Sequence, residues 1–287
     1  MTTFTFRSGM QPYSPTIDAI AQDAGLHHLT KSTLQLVHLT DPHLFGDPTR
    51  ELRGVPTLPA LRAVLAAAGD EIAAADAILA TGDLVQDDPG GYGHFRDELG
   101  QLGRPVLCVP GNHDLVPEMR QALAAPPFQL GGTWDAGAWR VVLLDSSVPG
   151  EIGGRFEAHE LAWLEQALAN AGDRHVLVCL HHHPVPMHSR WLDTVGLSNR
   201  RAFTDLLRRF PAVRAVLFGH VHQDYDREVE GLRMIATPST CSQFKPGSED
   251  FATDEAPPAW RTLRLHADGR VETRLHWLPD WRSTAAA

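Results

Sequence analysis

The sequence predicts an α/β fold in one domain, and three observations carry the prediction. Short apolar runs alternate with longer segments whose leucines recur at helical spacing, a rhythm that starts at Leu34 and lasts to Phe218. Such alternation implies a parallel or mixed sheet covered by helices on both faces. Beyond it the pattern changes to two stretches that read as hairpins and add antiparallel strands. No linker, repeat or low-complexity block interrupts the chain before the Ala285–Ala287 tail.

Taken in order, residues 1–33 read as an N-terminal extension with Pro12 and Pro15 and a short helix around Ile17 to Ala24. The domain proper spans 34–280, and 281–287 is a flexible tail. "LQLVHL" (34–39) is a buried strand, and 57–75 is a helix in which Leu58, Leu61, Leu65, Ala68 and Ile72 line one face. "AILAT" (77–81) is a strand, 92–102 a helix, "PVLCV" (105–109) a strand and 116–125 a short helix. "WRVVLLD" (139–145), "HVLVCL" (175–180) and "VRAVLF" (213–218) are further strands, separated by helices at 158–171 and 199–210. The two hairpins turn near Glu230-Gly231 and at Ala267-Asp268-Gly269.

Composition narrows the function. Of 287 residues, 43% are hydrophobic and 21% charged, the balance of a globular enzyme rather than a disordered chain. No apolar run approaches the ~20 residues of a membrane helix, and the N-terminus lacks a basic-then-apolar signal pattern, so a cytoplasmic protein without a membrane partner is expected. The three cysteines, Cys108, Cys179 and Cys241, are odd in number and widely spaced, which excludes a disulfide framework. A formal charge of −10 argues against a nucleic-acid partner. A homodimer is compatible with the sequence.

The chemistry lies just past the strands, where open α/β sheets bind ligands. There the chain carries "TDPH" (Asp41, His43), "GD" (Asp83), "PGNHD" (Asn112, His113, Asp114), "HHHP" (from His181) and "GHVH" (His220, His222). Any one of these residues has an ordinary explanation as a cap, a turn or a core histidine. Five strand ends in succession call for a common cause. Carboxylate, imidazole and one amide suit borderline divalent ions such as Mn, Fe or Zn. Seven such ligands exceed what one ion with an open position uses, whereas two ions ~3.5–4 Å apart use them naturally, in an arrangement suited to in-line attack on phosphorus.

The series D-x-H, G-D, G-N-H-D, H, G-H-x-H, spread in this order over residues 41–222, resembles the calcineurin-like metallophosphoesterases. The resemblance implies a sandwich of two mixed β-sheets flanked by α-helices, with a dinuclear site at its rim. It implies Asp41, His43 and His222 on one metal, Asn112, His181 and His220 on the other, Asp83 bridging, and a bridging hydroxide as nucleophile. His113 is then no ligand but the residue that protonates the leaving oxygen, with Asp114 orienting it. His43, Asp83, Asn112, His113, His181 and His222 are the residues expected to meet the substrate.

Of the three adjacent histidines, His181 follows the strand directly, where the sheet still holds the backbone. His181 and His182 cannot both point inward from an extended chain. His183 precedes Pro184, which pushes it towards an extended conformation away from the site. His181 is therefore the expected ligand, His182 an outer neighbour and His183 a loop residue that fixes the turn.

For the substrate, "ATGDLVQD" (80–87), "LHHHPVP", "SRWLD" (189–193), "GHVHQ", "ATPSTCSQFKP" (236–246) and "PAWRTLRLHADG" (258–269) resemble the bacterial cyclic-AMP phosphodiesterases of the CpdA type. That branch implies hydrolysis of 3′,5′-cyclic AMP to 5′-AMP. A broader phosphodiesterase acting on 2′,3′-cyclic nucleotides or glycerophosphodiesters is the alternative. A non-catalytic scaffold is disfavoured by the intact ligand set. "TPST" either cradles a phosphate or forms an ordinary turn, and Phe244 and Trp191 either stack a base or plug the core.

Overall fold

The computed structural model describes residues 33–279 and 281. Apart from Thr33 and Trp281, the expected extension and tail lie outside the described residues. The first half runs β1 (Thr33–Leu39), a short hairpin of β2 (Glu51–Leu52) and β3 (Val55–Pro56), α1 (Thr57–Ala67), α2 (Gly69–Ala74), β4 (Ala77–Thr81), α3 (Gly91–Gly100), β5 (Val106–Val109), α4 (Val116–Ala122) and β6 (Phe128–Leu130). It continues with β7 (Gly132–Ala136), β8 (Trp139–Leu143), α5 (Ala158–Ala169), β9 (His175–Leu180), α6 (Arg190–Asp193), α7 (Arg200–Arg208) and β10 (Val213–Phe218). The strand pair β11 (Tyr225–Val229) and β12 (Leu232–Ala236), the small hairpin β13 (Gln243–Phe244) and β14 (Thr253–Asp254), and the pair β15 (Ala259–His266) and β16 (Val271–Trp277) follow.

Two six-stranded sheets result, in the orders β16-β15-β1-β4-β5-β6 and β11-β12-β10-β9-β8-β7. In the first, β1, β4, β5 and β6 are parallel, β15 runs against β1, and the edge strand β16 runs against β15. In the second, β12, β10, β9 and β8 are parallel and the two edges antiparallel. Both sheets are mixed, as the sequence implied.

Period-two alternation sorts the strand residues into layers. Leu34 and Leu36 of β1, Leu79 of β4, Leu107 of β5, Leu177 of β9 and Leu217 of β10 share one core between the sheets. Their sequence neighbours Val37, Ile78 and Val106 pack on α1 to α4 through Leu61, Phe95 and Met119. On the other side Val178 and Val216 meet Leu164 and Phe203 of α5 and α7. Strands buried on both faces read as unbroken apolar runs, which is why they were visible in the sequence.

The expected helix over 57–75 is bent at Ala68 (φ −86°, ψ 9°), beside Gly69, yet its hydrogen bonds continue through Ala68 to Val64 and Ile72 to Ala68 at 2.8 Å each. The strands β6 and β7 sit at the sheet edges and are only partly buried, so no alternation announced them.

Leu79 is fully buried between the sheets. Leu79→Ala is expected to cost about 2–5 kcal/mol of unfolding free energy, read as a lower denaturant midpoint at unchanged slope.

Candidate metal centre

The carboxyl ends of β1, β4, β5, β9 and β10 deliver the candidate ligands to one place, the rim where the parallel strands of both sheets finish. Asp41 and His43 follow β1, Asp83 follows β4, Asn112 follows β5, His181 follows β9, and His220 and His222 follow β10. Five of these seven have left-handed backbone, with φ of 55° at Asp41, 48° at His43, 49° at Asp83, 68° at His220 and 49° at His222. Each such conformation costs a non-glycine residue on the order of 1 kcal/mol or more. It turns the chain sharply enough to bring a side chain back over the strand end. The loops are locked by Asp41 N–H to Gly82 O (3.1 Å) and His43 N–H to Asp83 O (3.0 Å). Close approach also dictates two glycines. A Cβ on Gly111 would collide with the Asp83 carboxylate, and one on Gly219 with Asp41 and Thr40.

Asp41, His43 and His222 cluster on one side, with His43 Nε2 3.1 Å from His222 Nε2 and Asp41 Oδ1 3.2 Å from the same atom. On the other side His181 Nε2 lies 3.1 Å from His220 Nδ1 and 3.3 Å from Asn112 Oδ1. Asp83 Oδ2 stands between the two groups, 3.8 Å from His43 Nε2 and 3.3 Å from His181 Nε2. Its other oxygen accepts the His113 backbone N–H at 2.8 Å.

This donor set fits cations. His222 Nδ1 donates to Ser242 O (2.6 Å) and His181 Nδ1 donates to Thr81 O (2.7 Å). Each Nε2 is thereby turned, lone pair first, onto other acceptors. Burial above all pushes His43 down to about 3 and His220 well below the ordinary imidazole range. Both are neutral bases at neutral pH. Burial works against the charge of His181 as well, but the Asp83 carboxylate outweighs it and holds that imidazole up to about 9. Acceptors facing acceptors demand positive charge at the centre, from protons when no ion is bound and from divalent cations otherwise.

His182 also borders the group formed with His181 and His220. Its nitrogens are committed elsewhere. Ser146 Oγ accepts the His182 backbone N–H (3.3 Å) and donates to His182 Nδ1 (2.8 Å), while Nε2 donates to Ile152 O (3.1 Å). No lone pair remains for an ion. His183 lies in the loop after β9, but it is buried and stacked on His220 with ring centroids 5.5 Å apart. It therefore supports that candidate ligand from beneath, where Pro184 had implied a position away from the site.

The profile of the calcineurin-like phosphoesterase family matches residues 34–224, a span that holds all seven candidate ligands. The chain belongs to that family. A protein of Pseudomonas aeruginosa described as 3′,5′-cyclic adenosine monophosphate phosphodiesterase CpdA is 44% identical over 252 residues, covering 88% of this chain and 92% of that one. Its namesake in Escherichia coli K12 is 41% identical over 254 residues, with 88% and 92% covered. Among solved structures, a dimetal phosphatase from Danio rerio superposes with a TM-score of 0.62 at 17% identity, covering 85% of this chain and 99% of that one. That likeness concerns the fold alone.

One expectation about this phosphoesterase needs correction. Asp114 does not orient the His113 ring. Its buried carboxylate accepts the backbone N–H groups of Leu84, Val85 and Gly111 and the Tyr92 hydroxyl at 2.9–3.3 Å, so it clamps the two loops together. The partner of His113 is Asp87, whose Oδ2 lies 2.9 Å from Nδ1, with Gln86 Nε2 2.8 Å from the same nitrogen. Asp87 stood in the quoted "ATGDLVQD" stretch, but nothing in its spacing marked it. Of the two readings of "TPST", the hydrogen bonds fit the structural turn rather than the phosphate cradle. Thr237 Oγ1 bonds His38 (2.6 Å), Ser239 Oγ donates to Asp41 O (2.6 Å), and Thr240 N–H donates to Thr40 O (3.0 Å). Those groups are spent on holding the Asp41 loop.

Two outcomes are expected. His181→Ala loses about half of the bound metal by elemental analysis, whereas His182→Gln, which keeps a polar group but no imidazole, retains the full content. Because an ion must displace the proton held on His181 below about 9, metal affinity falls as pH drops below that value. Calorimetry in buffers of different ionisation enthalpy is expected to show about one more proton released per centre at pH 7.5 than at pH 10.

Proposed function

We propose that this phosphoesterase hydrolyses 3′,5′-cyclic AMP to 5′-AMP with two divalent ions, Fe or Mn by preference and Zn as a chemically equivalent occupant. The observation that carries a metal-dependent reaction is the pair of donor groups on either side of Asp83 Oδ2. Asp41, His43 and His222 would hold one ion, Asn112, His181 and His220 the other, and Asp83 both. The substrate follows from the relatives, two of which are described as cyclic adenosine monophosphate phosphodiesterases and match nearly their whole length. The chemistry such ions supply is neutralisation of phosphoryl charge and activation of water as nucleophile.

The chain itself manages the leaving group. His113 is half-buried, its ring 5.4 Å from that of His43. Asp87 accepts from Nδ1 and orients the ring, which leaves Nε2 as the nitrogen that hands a proton to the ribose 3′ oxygen. Water attacks phosphorus opposite that oxygen, the P–O3′ bond breaks, and the 5′ ester remains. Asp114 contributes by fixing the loop that carries both Asn112 and His113.

The substrate is tested with purified protein supplied with Mn or Fe and equal concentrations of 3′,5′-cyclic AMP, 3′,5′-cyclic GMP, 2′,3′-cyclic AMP and a glycerophosphodiester. The expected outcome is 5′-AMP as product and the highest kcat/KM for 3′,5′-cyclic AMP. Faster turnover of 2′,3′-cyclic AMP or of glycerophosphodiesters would favour the broader phosphodiesterase. His113→Ala is expected to keep its metal and to lose about 10²- to 10⁴-fold in kcat on cyclic AMP. The loss shrinks on p-nitrophenyl esters, whose leaving group needs no proton. An equal loss on both substrates would make His113 a stabiliser of charge rather than an acid.

A further inference from the structure

Beside the metal centre two small hairpins converge. The tip of β2–β3 carries Arg53, itself in left-handed backbone (φ 52°). The loop between β13 and β14 carries Phe251, which is 51% exposed. Phe244 in β13 is not available to a ligand, because one face lies flat on His222 at 4.1 Å and 8°. Trp191 packs edge-on against Phe244 and Phe251, 5.1 Å from each. Phe251 is thus one further ring step of 5.5 Å from Phe244 and, unlike Phe244, remains exposed to solvent.

The loop that bears it is braced rather than loose. Ser189 Oγ donates to Ser248 O (2.6 Å), Trp191 Nε1 to Ser248 Oγ (3.1 Å) and Trp191 N–H to Glu249 O (3.2 Å). Across from it the Arg53 guanidinium lies 5.0 Å from the Phe251 ring and 5.2 Å from the Phe244 ring. Among the described residues no carboxylate pairs with Arg53. A solvent-facing phenyl held rigidly next to an unpaired guanidinium suits a flat, electron-rich ring joined to an anion. An alkyl chain would use the phenyl and waste the charge.

We infer that Phe251 and Arg53 form the nucleobase wall of the site, with the purine stacked on Phe251 and Arg53 between base and phosphodiester. The assignment rests on the cyclic-AMP reading above. It replaces Phe244 and Trp191 as base contacts and makes them the support behind the wall.

The test compares 3′,5′-cyclic AMP with ribose 3′,5′-cyclic phosphate, which has the same phosphate ring and no base. Phe251→Ala is expected to lower kcat/KM for cyclic AMP roughly ten- to hundredfold, mainly through KM, and to leave the abasic substrate within about twofold. Phe251→Trp keeps the cyclic AMP activity, and Arg53→Ala loses more on cyclic AMP than Arg53→Lys. A Phe251→Ala enzyme that matches the wild type on cyclic AMP, or loses the same factor on both substrates, overturns the wall and leaves the activity standing. A wild-type enzyme that cleaves neither cyclic phosphate while cleaving other phosphodiesters overturns the cyclic-AMP reading, and the wall with it.

Discussion

Everything at the rim depends on lone pairs aimed at one another. Asp83 Oδ2, Asp41 Oδ1 and the Nε2 atoms of His43, His181 and His222 are buried within 4 Å of a neighbouring acceptor. Such a cluster is unfavourable unless positive charge occupies its middle. The carbonyls of Thr81 and Ser242 enforce the arrangement by taking the Nδ1 protons of His181 and His222. The sheets supply the rest, since the parallel strands that carry the ligands all end here.

Holding five residues in left-handed backbone requires a foundation, and it is polar. His38 in β1 is wholly buried and joins Thr237 Oγ1 (2.6 Å) to Thr81 Oγ1 (2.7 Å). Thr81 donates to Thr40 Oγ1 (2.8 Å), which donates to Asp41 Oδ2 (2.6 Å). Burial, reinforced by Arg261, pushes His38 down to about 3, so it stays neutral with one donor and one acceptor. Arg261 bonds Thr237 and pairs with Asp224. The chain of bonds links β1 and β4 in one sheet to the residue after β12 in the other, which explains how two sheets can share one site. Fully satisfied buried networks of this kind confer rigidity.

Much of this was legible in the sequence. Buried parallel strands appear as apolar runs, and the residue types after them narrow the chemistry to borderline metal ions. Strand alternation separated His181 from His182, while its place at the strand end and the family spacing singled it out as the ligand to expect. What stayed hidden depends on distances across the fold. The Asp87–His113 contact spans 26 residues and the Asp114 clamp 30. Neither has a motif, and an acidic residue directly after the histidine was the simpler partner to suppose. "TPST" likewise offered free hydroxyls until the Asp41 loop was seen lying on them. Arg53 and Phe251 sit in the loops of two hairpins whose two-residue strands are too short to show any period.

The central claim is that the crowded acceptors are a socket for two cations that share Asp83. Anomalous diffraction from Mn-loaded crystals tests it directly. The account predicts two peaks ~3.5–4 Å apart, one among Asp41, His43 and His222, the other among Asn112, His181 and His220, with Asp83 touching both. A single peak, or peaks away from Asp83, would contradict it.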